Sequence, residues 1–315
     1  MAGEKRDRKG IGDFPTVDPT EEITGKGLGV LLAFFAVFIV LFALSYPLHR
    51  LAEKAWLGAP ADLQHIENPS TIVLFSLCFL ALAITGIVLT YLYRRHFALG
   101  DLIAPLFLAA LVWLAIQAQY WYNGWTAAIP YYPPTFNAAE VFFITLGAVA
   151  LLKSHPVLRF GLAGNDLTAA AGGLGLGVVL GIPFAVLNAM FFVFIDGKAI
   201  AAQDVITEAI VALKPAIMEE AAFRLLFMGL AIVVLLKVLP RNIAIVSAVF
   251  MAIVFHSVAH VPDLLLKNAS MAVANVIVTS LLFGLPMASL AYKKGIETAI
   301  GFHWVIDAVR FALGL

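Results

Sequence analysis

The sequence predicts an all-α fold, a polytopic transmembrane helical bundle of about nine spans. Two observations carry most of that expectation. Of the 315 residues, 62% are apolar and only 13% are charged. The apolar residues also fall in successive runs of about 20, the length a helix needs to cross the hydrocarbon core. Charge composition then narrows the function classes. Twenty basic and twenty acidic residues cancel, which argues against a nucleic-acid surface. The one cysteine, Cys78, lies in an apolar run, so neither a disulfide framework nor a cysteine zinc site is expected.

Residues 1–24 are polar, with Lys5, Arg6, Arg8 and Lys9 among acids, glycines and prolines. They read as a disordered tail, and the run that follows is too long for the core of a signal peptide. The first span is expected from Gly27 to Tyr46, followed by a polar connection with Arg50, Lys54 and a turn at Asn68 and Pro69. The second runs from Ser70 to Tyr93, closed by Arg94 and Arg95, and the third from Asp101 to Gln119. Residues 120–136 hold two tryptophans, four tyrosines and three prolines without a charge. Such a segment suits the headgroup region, with a substrate-gating loop as the functional alternative. Asn137 and Glu140 resemble a capping box opening the fourth span.

Asn165 and Asp166 mark the start of the fifth span, in which Gly173, Gly177 and Gly181 recur every four residues. That spacing predicts a close-packing face for another helix; no Gly-Lys-Ser/Thr follows, so it is not a phosphate loop. Residues 203–213 read as a short amphipathic helix. Pro215 opens the sixth span, and three more are expected at Asn242–Val261, Met271–Tyr292 and Ile296–Leu315. With the N-terminus inside, most basic residues, among them Arg94, Arg95, Lys153, Arg159, Lys237, Arg241, Lys293 and Lys294, fall in inner segments. The positive-inside rule therefore predicts a cytoplasmic N-terminus.

The polar residues of the last spans bear on function. Glu219, Glu220 and Arg224 stand in an otherwise apolar run, and an ionisable group inside a membrane is a functional candidate. Glu220 and Arg224 are four apart, acid first, the favourable order for a helical pair. Glu219 lies about 100° round the helix from Glu220, which leaves it clear of that arginine. His256 and His260 in the next span are four apart, as are His303 and Asp307 in the last. Three polar pairs at helical spacing suggest convergence on one cavity.

Glu-Glu-x-x-Phe-Arg at 219–224, a histidine ending the next helix, and His-x-x-x-Asp at 303–307 resemble the CPBP family. These are CAAX-protease-like, glutamate-type intramembrane endopeptidases that include the eukaryotic Ras-converting enzyme. The resemblance covers about residues 168–315. It implies a protease core at 166–315, preceded by transmembrane helices of unassigned role at 25–165, about four of them additional to the core. The family's second motif usually reads Phe-x-x-x-His; here His256 stands at the aromatic position, which leaves open whether His256 or His260 acts.

The resemblance implies that Glu219 activates a water, that His260 holds the same water, and that Glu220 and Arg224 fix the helix. It further implies that His303 donates to the oxyanion and that Asp307 orients His303. The expected partners are the bilayer and a membrane-anchored protein or peptide substrate. No cofactor is expected. A zinc set of Glu219, His256, His260 and His303 is the weighed alternative, disfavoured because His-Glu-x-x-His is absent. Blander roles exist for each residue: a structural Glu220–Arg224 pair, polar glue at Glu219, a packed His256, an interfacial His260, an Asp307 paired with Arg310. At the level of the whole chain, the rivals to a peptidase are a catalytically idle scaffold or immunity protein, and a transporter using the same charged cavity.

Overall fold

The computed structural model describes residues 25–56, 69–123, 134–195 and 197–315, and every regular element among them is helical. The expected tail and most of the aromatic segment at 120–136 lie outside the described residues. Among the described residues, seven helices are long and apolar enough to cross a membrane, which makes the protein a multi-pass integral membrane protein. They are α1 (Gly25–Trp56), α2 (Pro69–Leu92), α3 (Ile103–Asn123), α4 (Pro134–Ser154), α5 (Leu167–Phe194), α9 (Arg241–Ala259), and the run α11 (Ala269–Thr279) to α12 (Leu285–Lys293). The short helices α6 (Val205–Val211) and α10 (Pro262–Lys267) lie between longer ones.

Two further helical segments carry the ionisable residues. One is α7 (Leu213–Glu219), continued by a π-helical stretch at Glu220–Met228 and then α8 (Gly229–Leu235); the other is α13 (Ile296–Ala312). The expected count of nine spans includes these two.

Two boundaries differ from expectation. The first helix does not stop at Tyr46 but continues through Pro47 to Trp56. Proline removes only one backbone hydrogen bond, and in an apolar phase the remaining internal bonds keep the helix going. Asn137 and Glu140 do not cap α4, which begins three residues earlier at Pro134. Instead Asn137 Nδ2 donates to Glu140 Oε2 across a buried turn at 3.4 Å. Other caps follow the sequence. Asp166 accepts from Ala169 N at the start of α5, and Asp204 accepts from Thr207 N at the start of α6. Hydrogen bonds from Thr207 hold the Asp204 carboxyl below its ordinary value.

Backbone approach decides how the helices cross. A Cβ on Gly177 would run into Thr298 O and Phe302 N, one on Gly181 into Phe302 O, and one on Gly301 into Leu174 O. The glycine face of α5 thus lies directly on α13. Gly86 and Gly147 make the same kind of crossing between α2 and α4.

The basic segments gather at one end of the bundle. Lys153 pairs with Asp101 at 2.6 Å, Lys237 and His96 both act on His155, and Ile296 N donates to Arg159 O. Burial and the two basic neighbours hold His155 below its ordinary value. The opposite end carries the turn after α9. There Tyr46 Oη donates to Pro262 O, while Asp263 accepts from Ser70 N, Thr71 N and Thr71 Oγ1 and so caps α2 from 193 and 192 residues away in sequence.

Candidate active site

The π-helical stretch lies at the centre of the protein, against α2, α4, α9, α12 and α13. All of its residues except Phe227 are buried. A π turn inside a longer helix is energetically unfavourable in isolation and often marks a functional position. A second one, at Ser280–Gly284, packs against α9, where Ser280 Oγ donates to Ser257 Oγ at 2.9 Å.

The two glutamates have different surroundings. Glu220 is fully buried, with Oε1 3.3 Å from Arg224 NH1 and 3.0 Å from His303 Nδ1. Arg224 is equally buried, and its NH2 reaches the Met287 sulfur at 3.9 Å. Burying either charge alone would be costly, so the pair and the histidine belong together. Glu219 turns away from this arginine, as its position on the helix predicts. Yet it is not left alone: its Oε2 lies 2.5 Å from His256 Nε2, 3.8 Å from His260 Nε2 and 3.8 Å from His303 Nε2.

His303 stands between the two carboxylates. Its Nδ1 faces Glu220, and its Nε2 faces Glu219 and, at 3.3 Å, Asp307 Oδ2. Each ring nitrogen therefore has a carboxylate oxygen opposite it. Asp307 meets Arg310 as well as His303, with Oδ1 3.2 Å from Arg310 NH2.

Helix depth explains why these groups can meet. His260 ends α9, whereas His256 lies one turn deeper, about 6 Å at 1.5 Å per residue. His303 falls near the middle of the 17-residue α13. The His256 and His303 rings are 6.2 Å apart between centroids, and the Glu219 carboxylate reaches to 3.8 Å from His260 Nε2.

All seven sequence-selected residues, Glu219, Glu220, Arg224, His256, His260, His303 and Asp307, thus join one connected network. Burial grades them: His256 and His303 are buried, while the His260 side chain is 49% exposed. The aromatic wall around the two histidines went unforeseen. Phe75 of α2 packs edge-on against His260 at 4.8 Å between ring centroids, and Phe223 lies 5.0 Å from His256. Phe75 gives no signal in the sequence, because it is one apolar residue within an apolar span. Asp263 follows a proline and reads locally as a first-turn acid, so its cap on α2 is visible only in three dimensions.

Among the described residues, Glu219, His256 and His260 bring three potential ligand atoms within 4.8 Å of one another. His303 faces the same carboxylate but is tied to Glu220 and Asp307.

Residues 201–309, about a third of the chain, match the model of a family described as Rce1-like, type II CAAX prenyl endopeptidase Rce1-like. No curated protein and no solved structure is matched. The matched segment runs from just before α6 into α13 and contains all seven network residues, whereas Phe75 lies outside it.

Proposed function

We propose that the protein is a glutamate-type intramembrane endopeptidase acting on a membrane-associated protein or peptide, a reading supported by the match of residues 201–309 to the Rce1-like family model. The observation that carries this reading is the unequal pairing of adjacent acids. Glu220 is bound to Arg224 and His303, while Glu219 faces three imidazole nitrogens within 3.8 Å.

In this mechanism a water sits between Glu219 and His260, whose Nε2 lies 3.8 Å from the carboxylate. Glu219 takes its proton as the oxygen attacks the scissile carbonyl carbon. His303 Nε2 donates to the oxyanion, which concentrates negative charge as the tetrahedral intermediate forms. Collapse breaks the C–N bond, and the proton held by Glu219 passes to the leaving amine. Asp307 and Glu220 position His303, and Arg224 positions Glu220. His256 holds the Glu219 carboxylate, while the more exposed His260 meets water and substrate. No covalent intermediate is needed. The basic end of the bundle faces the cytoplasm, in keeping with the positive-inside rule, and the site lies toward the other face.

The test compares membranes from cells making wild type or Glu219→Gln and profiles newly formed peptide termini. Cleavages seen with wild type should fall by about 10²–10⁴-fold, the contribution of a positioned general base. Coincident profiles from equally folded, equally abundant proteins would overturn the peptidase reading in favour of a binding or scaffolding role.

A further inference from the structure

We infer that Glu219, His256 and His260 form a binding site for a divalent transition-metal ion of the zinc class, and that histidine at 256 creates it. The two imidazoles lie on one face of α9, with Nε2 atoms 3.2 Å apart. A tetrahedral ion with bonds of about 2.0–2.1 Å holds its ligand atoms about 3.3 Å apart, so this edge of the site is already at the required length. Glu219 Oε2 lies 3.8 Å from His260 Nε2 and 2.5 Å from His256 Nε2. The first separation must close slightly and the second must open. A turn of the terminal carboxylate torsion, which is soft in glutamate, makes both changes.

The donor chemistry agrees. Two neutral imidazoles and one carboxylate form a familiar three-ligand zinc set with a fourth position open. His303 Nε2 lies 3.8 Å from the same carboxylate oxygen and borders that position. Phe75 and Phe223 pack against the two imidazole rings and limit their rotation, as an ordered ligand shell requires. The exposed side of His260 provides the entry path. An aromatic residue at 256, as in the motif this segment resembles, would leave only two ligands.

Binding is a property of the resting protein and does not depend on proteolysis. Its consequence does rest on the peptidase reading: an ion on Glu219 occupies the oxygen that takes the proton from water. The metal-loaded form is then the silent one.

The experiment uses the purified, chelator-treated full chain in detergent. Co²⁺ is titrated in as a probe, read by its visible tetrahedral absorption, and is then displaced with Zn²⁺; elemental analysis gives the stoichiometry. One ion per chain is expected. His256→Phe and His260→Ala should each weaken binding by at least about 100-fold, the upper range seen when even an outer-shell partner of a ligand is lost. His155→Gln, at the far end of the bundle, should leave binding unchanged. Because His260 is half exposed, its substitution remains decisive if the buried His256→Phe variant does not fold. Absence of stoichiometric ion, or binding that survives both ligand substitutions in folded protein, overturns the site. Terminal profiling of Glu219→Gln reads the peptidase independently, so either inference can fail while the other stands.

Discussion

The first helix and the π-helical stretch solve opposite solvation problems. Over its most apolar window α1 is only 11% buried inside the protein, so most of its side chains face lipid. Residues 220–228 turn nearly everything inward, including a fully buried Arg224. Lipid solvates leucine and phenylalanine at no penalty, whereas a charge must be solvated by other protein groups. In this bundle the centre is therefore where polarity collects. The comparison also shows what the N-terminal helices contribute. Although they lie outside the matched segment, α2 supplies Phe75 to the histidine wall and receives its cap from Asp263, three residues beyond His260.

The largest test of this contrast is Arg224→Met. Removing one partner of a buried pair should destabilise the folded protein by about 3–5 kcal/mol, measured by equilibrium denaturation in detergent micelles. Combining it with Glu220→Gln should recover much of the loss. A cost below about 1 kcal/mol, typical of an exposed pair, would mean that the centre is wet and the contrast with α1 is false.

A second comparison sits within α5. A Cβ at Gly177 meets the backbone of α13, whereas one at Gly175 meets nothing within 4 Å. Gly177→Ala should therefore lose about 1–3 kcal/mol by overpacking. Gly175→Ala should be neutral or gain up to about 1 kcal/mol from helix propensity. Equal effects would show that the glycine face does not hold the His303 helix.

The smallest expected effect concerns the joint between the two halves. Asp263→Ala should cost about 0.5–2 kcal/mol, the range for losing an N-cap. Because the turn also carries His260, weaker Co²⁺ binding should accompany the loss of stability. Asp263→Asn, which keeps an acceptor oxygen, should restore most of both. A variant as stable as wild type would separate α2 from the site.

Much of the fold is legible in the sequence because lipid imposes one simple requirement, a long apolar run, and α1–α5 meet it plainly. The same criterion overlooks the segment 213–235 and α13. The first carries Lys214, Glu219, Glu220 and Arg224, and the second is only 17 residues long. The sequence still marks both as spans, from Pro215 and at 296–315, and the spacing of their polar pairs, four residues apart and so on one helix face, singles them out for the site. Pairing between helices has no such local rule. The capping box expected at Asn137 and Glu140 failed because the helix had already begun at Pro134, where composition gives only a proline-rich approach.

The sequence by itself determined the all-helical membrane class, the glycine face of α5, and the seven polar residues that converge. These follow from periodicity and hydropathy, which are properties of one helix at a time. Only the tertiary structure decided that His256 rather than His260 lies closest to Glu219, that His303 stands between two carboxylates, and that Phe75 and Asp263 tie α2 to the site. Each of these depends on the relative depth and rotation of separate helices. Those are set by backbone contacts, such as Gly177 on Thr298, between residues far apart in the chain.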